Sequence, residues 1–312
     1  MKSRKKSGFA TAKRNENIFY YVMVAIPLIQ FLIFYVVVNF NSFLLAFKSY
    51  EFNVKTLNYD ESWVGFANFK AFLDGFFSKG GTLVQILKNS LIVYATNLFI
   101  GTVFALFFSY YIYKKAFMSG FYRVILFMPS ILSSIVMVTL YGYFVDRAIP
   151  TLLNKAFDAP YVPFLDKYQF PTILFYNVFI SFGASVLMYT GAMSRIPDGV
   201  IEAGKIDGVG PMREFFVLVL PLIAPTVSTF LITGVAGLFT NEAHLYAFSG
   251  YWADESIQTL GYYLLIQVMS ENSSLIDYPY AAAAGLSLAF VAAPLTLLVR
   301  YVLEKAIPTV EY

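Results

Sequence analysis

Six apolar segments, each long enough to cross a lipid bilayer, constrain this chain more than any other feature of its sequence. A transmembrane helix needs roughly 20 mostly apolar residues to cross ~30 Å of hydrocarbon. Arg300, near the end of the last segment, is the only charged residue within the six. The sequence therefore predicts an all-α polytopic membrane protein with six transmembrane helices. The segments run from Ile18 to Phe40, Leu91 to Tyr113, Val124 to Val145, Thr172 to Met193, Val219 to Thr240 and Ala281 to Tyr301.

The composition excludes most classes of enzyme. Hydrophobic residues make up 58% of the 312 residues and charged residues only 13%, which is typical of an integral membrane protein. The chain contains no cysteine, which excludes disulfides, thiolate nucleophiles and cysteine metal sites. His244 is its only histidine, which excludes a metal site with two histidine ligands. We therefore predict no catalytic residue and no metal site, and we expect no nucleic-acid partner.

The positions of the basic residues predict an orientation in the membrane. With the N-terminus in the cytoplasm, most of the 22 lysines and arginines also lie on that side, as the positive-inside rule requires. Both termini and the connection at residues 194–217 are then cytoplasmic. Residues 1–17 form a basic tail, and residues 18–312 form a single integral-membrane domain. The first apolar segment is longer than that of a signal peptide, so we expect it to be retained.

The connection between the fourth and fifth segments contains a short, charged, helix-forming stretch. It reads Glu-Ala-Gly-Lys-Ile-Asp-Gly from Glu202 to Gly208, and Leu-Val-Leu-Pro follows at residues 218–221. Asp198 is placed to cap a helix, Gly208 to end it in the left-handed conformation, and Pro211 to begin the next helix. We therefore predict a compact helical bend at the membrane surface.

Side chains of this stretch are suited to binding another protein. Ala203 and Gly204 would leave a flat patch, and Glu202 and Asp207 would offer charged hydrogen-bond acceptors. Acidic residues and glycines are common in any connection of this length, so the composition alone leaves an ordinary surface loop open. The position of the stretch, between the fourth and fifth of six helices on the predicted inner side, favours a docking element.

The spacing E-A-x-x-x-x-G-x9-L-x-L-P resembles the EAA loop of the membrane subunits of bacterial binding-protein-dependent ABC importers. The resemblance extends over nearly the whole chain and is closest to the carbohydrate-type permeases. Residues 63–69 look like that group's outer-loop motif, Asn89-Ser90 resembles the start of its second helix, and Arg123 with Pro129 resembles its approach to the third.

Two positions depart from the family pattern. Gly204 stands where the family usually has alanine, and Leu218 where isoleucine is common. Because glycine costs about 1 kcal/mol of helix propensity relative to alanine, we expect a docking helix that is less rigid than usual.

The resemblance implies an importer of the bacterial plasma membrane that works by alternating access. Its parts are two permease subunits, two cytoplasmic ABC ATPases and an extracellular or periplasmic solute-binding protein. This chain would be one permease, multi-pass and surrounded by membrane lipid, with a second, similar but different chain beside it. ATP and magnesium would be bound by the ATPases, and an oligosaccharide is the expected solute. The implied coupling residues are Glu202, Ala203, Gly204, Asp207, Gly208, Leu220 and Pro221.

Polar residues recur along three of the predicted helices at helical spacing. Such stripes either line a solute path or mediate ordinary helix packing in membranes, where small and hydroxyl residues are common. Tyr141 and Asn177 are the stronger candidates for contact with a sugar, which needs hydrogen-bond partners and an aromatic plane. The full candidate set for the solute path is Tyr141, Asn177, Ser181, Ser185, Thr229 and Thr233.

Two alternative functions remain open at this point. A secondary transporter driven by an ion gradient would need intramembrane carboxylates, and the six predicted segments contain none. A permease of the same family could carry another solute. A glycerol phosphate would favour arginine or lysine in the path, and none is predicted there, whereas a neutral peptide stays open as the alternative solute.

Overall fold

The computed structural model describes residues 18–78, 81–269 and 275–306. The predicted basic tail at residues 1–17 lies outside this range. The described residues form two compact units. One unit contains the residues up to Phe72 together with residues 275–286, and the other contains residues from Leu73 to Met269 together with residues 287–306.

The first unit is built from a membrane-length helix followed by a small hairpin. Helix α1, Ile18–Leu45, is exposed over almost its whole length, as expected for a helix surrounded by lipid. Strands β1, Lys48–Asn53, and β2, Asn58–Trp63, then pair antiparallel. Ala67–Phe77 forms helix α2, and the amide of Asn68 donates to the carbonyl oxygens of Ala46 and Lys48 at 2.9 and 2.8 Å. This side chain fixes the start of α2 against the hairpin.

Helices joined by loops make up the rest of the described chain. Six of the described helices, α1, α3, α5, α7, α9 and α12, are long and apolar enough to cross a membrane, which confirms the predicted number. Helix α11 is apolar but, at 10 residues, too short to span a membrane. In chain order, the helices after α2 are α3 Thr82–Tyr113, α4 Ser119–Ile131, α5 Ser134–Phe157, α6 Phe164–Lys167, α7 Gln169–Met193, α8 Asp198–Ile206, α9 Pro211–Ala236, α10 Leu245–Ser249, α11 Leu260–Met269 and α12 Tyr278–Ala306.

The predicted bounds of the third spanning helix, Val124 to Val145, were wrong. The chain breaks between α4 and α5, where Leu132 and Ser133 are extended. The Ser133 hydroxyl accepts from the amide of Val136 at 3.4 Å, so it caps the start of α5. The membrane-length helix is therefore α5, which continues to Phe157, beyond the predicted end at Val145. A π-helical segment at Phe144–Ala148 precedes Pro150, which lacks the N–H of a regular helix.

Helix α7 lies at the centre of the second unit and packs against α3 and α4. Its Gly183 faces the backbone of α4, where a Cβ would overlap the carbonyl oxygen of Leu126. The hydroxyl of Ser109 in α3 donates to the carbonyl oxygen of Val186 at 3.0 Å. Small residues and hydroxyl groups at these crossings let the helix backbones approach closely.

A polar cluster fastens the segment before α11 to the start of α3. The amide of the buried Asn89 donates to the carbonyl oxygens of Ser256 and Gln258 at 2.8 and 2.9 Å. The adjacent Ser90 hydroxyl accepts from the amide of Leu260 at 2.8 Å. Asn89 and Ser90, singled out in the sequence, therefore satisfy the backbone of a loop that would otherwise carry unpaired groups into the interior.

Candidate docking site and polar cavity

Helix α8 carries the predicted docking stretch, and backbone geometry fixes both of its ends. Pro197 is the residue before the first turn, and the Asp198 side chain makes no cap bond, so the expected Asp198 cap was wrong. At the other end, Gly208 is left-handed with φ 73°. Its amide donates to the Lys205 carbonyl oxygen at 3.1 Å, and the Val209 amide to that of Gly204 at 3.0 Å. This pair of bonds is the Schellman pattern that glycine favours, as predicted for Gly208.

One face of α8 packs against the chain itself. Ile201 is buried in a cluster that includes Met193, Phe215 and Val219. Gly204 faces the same side, and a Cβ there would lie 2.6 Å from Cδ1 of Leu218. Gly204 therefore provides close contact within the chain rather than part of an outward patch.

The opposite face of α8 is open. Glu202, Ala203 and Asp207 are exposed, and 86% of Ile206 is accessible. This face combines two carboxylates with apolar surface, which suits binding to another protein. Leu220 is half-buried and Pro221 exposed, both within α9, so they lie beyond the docking face.

Glu214 is a buried charged residue that the sequence analysis did not single out. It lies near the start of α9, and only 3% of it is exposed. Its carboxylate accepts from Nζ of Lys114, the residue that follows α3, at 2.7 and 3.1 Å, and from the Tyr110 hydroxyl at 3.1 Å. The available signal was a pair of opposite charges at the ends of two apolar segments: Lys114 follows the second segment and Glu214 precedes the fifth.

A cavity of about 400 Å³ lies between α3, α7 and α9. Its walls carry hydroxyl and amide groups together with aromatic and aliphatic side chains, and none of the described lining residues is charged. Such a surface can bind a neutral solute that carries hydroxyl groups. The lining comprises Ser90, Val93, Tyr94, Asn97, Leu98, Gly101, Thr102, Ser181, Phe182, Ser185, Tyr189, Phe230, Leu231, Gly234, Gly237, Leu238, Thr240 and Asn241.

Two of the predicted path residues lie on this cavity. The Ser181 hydroxyl donates to the Asn97 amide oxygen at 3.1 Å, and the Ser185 hydroxyl to the Ser181 carbonyl oxygen at 2.9 Å. Asn97, which the stripes along the other helices did not indicate, joins them on the wall. The three side chains place hydrogen-bonding groups from α3 and α7 side by side.

The other predicted path residues lie elsewhere. Asn177 is only 5% exposed, and its amide donates to the carbonyl oxygens of Ile173 and Ala243, each at 2.9 Å. The Tyr141 hydroxyl donates to the Thr172 carbonyl oxygen at 2.8 Å. Thr229 and Thr233 lie on an exposed face of α9, and each donates to a carbonyl oxygen one turn earlier.

A polar turn follows α9. Ala243 and His244 both have positive φ, 54° and 56°, and the Asn241 side chain accepts from the Ala243 amide at 2.8 Å. Nδ1 of His244 lies 3.2 Å from the Ser134 hydroxyl, and burial lowers the pKa of His244. Burial raises the pKa of the neighbouring Glu242 carboxyl. The turn therefore favours the neutral form of both groups.

Comparison with known families decides what kind of membrane protein carries these features. The profile of the family described as "Binding-protein-dependent transport system inner membrane component" matches residues 97–307, more than half of the chain. The chain belongs to this family. It is therefore a multi-pass inner-membrane permease of a transport system that depends on a binding protein, and the hydrolysis of ATP belongs to a separate subunit.

Similar proteins carry the same kind of description. The sn-glycerol-3-phosphate transport system permease protein UgpA of Shigella dysenteriae is 28% identical over 91% of this permease and 94% of its own length. The multiple sugar-binding transport system permease protein MsmF of Streptococcus mutans is 25% identical, with coverage of 86% and 89%. The probable ABC transporter permease protein YesP of Bacillus subtilis is 26% identical, with coverage of 76% and 75%.

A solved structure has the same fold. A chain of a bacterial ABC transporter involved in the import of the acidic polysaccharide alginate superimposes with a TM-score of 0.76. The match covers 94% of this permease and 98% of that chain, at 19% sequence identity. The predicted permease fold of ABC importers is thereby confirmed.

Proposed function

We propose that this permease carries a neutral carbohydrate, an oligosaccharide, across the bacterial plasma membrane by alternating access. The observation that carries the proposal is the cavity between α3, α7 and α9. Its hydroxyl and amide groups, including Asn97 and Ser185, match the hydroxyl groups of a sugar. Tyr94 and Phe182 supply aromatic rings that can cover the apolar face of a sugar ring.

The charge of the cavity wall favours a neutral solute over an anionic one. Relatives are named for sn-glycerol-3-phosphate and for multiple sugars, and the structural neighbour for an acidic polysaccharide. A phosphate or carboxylate solute would favour arginine or lysine on the wall, and the described lining contains neither. A peptide is not favoured, because none of these relatives is named for one.

Family membership supports the remaining parts of this proposal. Both termini and residues 194–217 lie in the cytoplasm, where the exposed face of α8 docks on an ABC ATPase. Two such ATPases bind ATP and magnesium, and an external binding protein delivers the solute. A second permease completes the path beside the exposed hydroxyl groups of Thr229 and Thr233 on α9.

Two substitutions test the docking role of α8. Glu202→Lys reverses the charge of an exposed carboxylate on the docking face. Gly208→Pro cannot adopt the φ of 73° that ends α8, because proline fixes φ near −65°, and it removes the amide that bonds to Lys205. We expect both variants to insert into the membrane but to lose copurification with the ATPase.

The control is Asp166→Lys, the same kind of change at an exposed carboxylate in α6. This variant should copurify with the ATPase as the wild type does. The docking assignment is wrong if the ATPase stays bound and ATP hydrolysis in the complex is unchanged in either α8 variant.

A further inference from the structure

A charged cluster joins the end of α3 to the beginning of α9. Lys114 directly follows α3, and its ammonium group lies 2.7 Å from Oε1 of Glu214. The Tyr110 hydroxyl lies 3.1 Å from the same carboxylate oxygen and 3.0 Å from the carbonyl oxygen of Pro211, the first residue of α9. The cluster therefore holds both a side chain and the backbone at the point where the chain leaves the α8 connection.

Aromatic contacts hold the same two helices together around the cluster. The ring of Phe107 in α3 stacks on Phe215 in α9 with centroids 5.0 Å apart, and the Tyr110 ring lies 5.1 Å from Phe215. Phe215 also belongs to the cluster that packs against Ile201 of α8. Phe215 therefore contacts both the buried face of α8 and the end of α3.

Because Glu214 is buried, separating α3 from α9 is energetically costly. A buried carboxylate is stable only when its charge is paired and hydrogen-bonded, so separating α3 from α9 would leave the charge of Glu214 without compensation. Glu214 is also the first residue of a π-helical segment, Glu214–Val219, a geometry that frequently occurs at functional sites.

We propose that Lys114, Glu214 and Tyr110 form a brace that makes α3 follow the docking helix α8 during the ATPase cycle. Helix α3 supplies Tyr94 and Asn97 to the cavity wall, so the brace links the docking surface to the solute path. The three residues are positioning residues. The inference rests on the proposed docking of α8 on the ATPase.

The absence of cysteine from the chain allows a direct test. Spin labels are attached at Phe117→Cys and Met212→Cys, both exposed positions in the wild type. The carbonyl oxygen of Phe117 accepts from the Tyr111 hydroxyl at 2.6 Å, so position 117 reports on the end of α3. Position 212 lies between α8 and Glu214. The distance between the labels is measured in the full importer in liposomes, without nucleotide and after trapping with ATP and vanadate.

We expect the wild-type distance to be the same in both states, because the two helices move as one body. In Glu214→Gln and in Lys114→Gln, the distance should match the wild type without nucleotide and shift or broaden after trapping. Lys114→Arg keeps the charge pair and should restore the wild-type result. Tyr110→Phe keeps the ion pair but lacks the hydroxyl, so it should give a smaller shift than either glutamine variant.

A purely structural role for the pair would give a different pattern. The glutamine variants would then assemble less well or show the same altered distance in both states, and either result overturns the brace. An unchanged distance in both states overturns it as well. If a label at Ile206→Cys, on the exposed face of α8, does not become immobilised when the ATPase is added, the proposed docking of α8 fails. If it is immobilised but Glu214→Gln behaves as the wild type does, only the brace fails.

Discussion

Replacing Gly183 with alanine should destabilise the permease, whereas the same change at Gly191 should not. Both glycines lie in α7. A Cβ at Gly183 would overlap the carbonyl oxygen of Leu126 and would lie 2.8 Å from its carbonyl carbon. A Cβ at Gly191 would have no atom within 4 Å apart from its neighbours along the chain and the backbone of its own helix. The two positions therefore share the gain in helix propensity and differ in the contact with α4.

The size of the effect follows from the nature of the obstacle at Gly183. The atoms in the way belong to the backbone of Leu126, so α4 has to retreat as a unit, and overpacking of this kind costs about 1–3 kcal/mol. We take the upper end, because a flexible side chain is not available to move. The higher helix propensity of alanine offsets about 1 kcal/mol of this loss in stability. The net loss is about 2 kcal/mol, roughly a 30-fold change in the ratio of folded to unfolded protein.

The assay is thermal unfolding of the purified permease in detergent, followed by the loss of the monodisperse peak after heating. Gly183→Ala should unfold at a lower temperature than the wild type, and Gly191→Ala at an equal or higher temperature. Equal unfolding temperatures for the two variants would refute the close approach of α7 and α4 at Gly183.

Two further predictions concern buried polar groups. Asn89→Ala should lower the stability by about 1–3 kcal/mol, because the carbonyl oxygen of the buried Gln258 and that of Ser256 lose their donor; denaturant unfolding measures this, with the exposed Asn154→Ala as the control that changes little. Because burial lowers the pKa of His244, the folded state binds fewer protons than the unfolded state, so stability falls as the pH drops below 6.5. Unfolding temperatures on either side of that pH should therefore differ more in the wild type than in His244→Asn. The raised pKa of Glu242 acts in the opposite direction in both proteins; equal pH dependence in the two proteins would contradict the burial of His244.

Features set by local chemistry could be predicted from the sequence. The length and apolar character of the segments gave the correct number of spanning helices, because the hydrocarbon thickness fixes the length a helix must have. The end of the docking helix was also predictable, since Gly208 adopts the left-handed conformation for which glycine is best suited. Both predictions depend only on neighbouring residues.

Features that depend on the packing of distant segments could not be predicted. The break between α4 and α5 lies in an apolar run, where hydropathy is the same for one helix or two, and the Ser133 cap became evident only in the structure. Asn177 belongs to a polar stripe of the kind expected along a solute path. Its side-chain amide, however, donates to the carbonyl oxygen of Ala243, a residue far along the chain. A polar stripe alone does not distinguish a helix face that lines a solute path from one that packs against another helix.

The two departures from the family pattern at the docking helix belong together. Taken separately, Gly204 implies a loss of helix propensity and Leu218 a minor change in an apolar side chain. In the structure, however, the Cβ of an alanine at position 204 would lie only 2.6 Å from Cδ1 of Leu218, which is too close for an ordinary contact. The glycine therefore makes room for the larger reach of the leucine, and the contact between α8 and α9 is kept. Because this packing holds α8 from its buried face, the lower helix propensity of Gly204 does not imply a looser link between the docking helix and the rest of the permease.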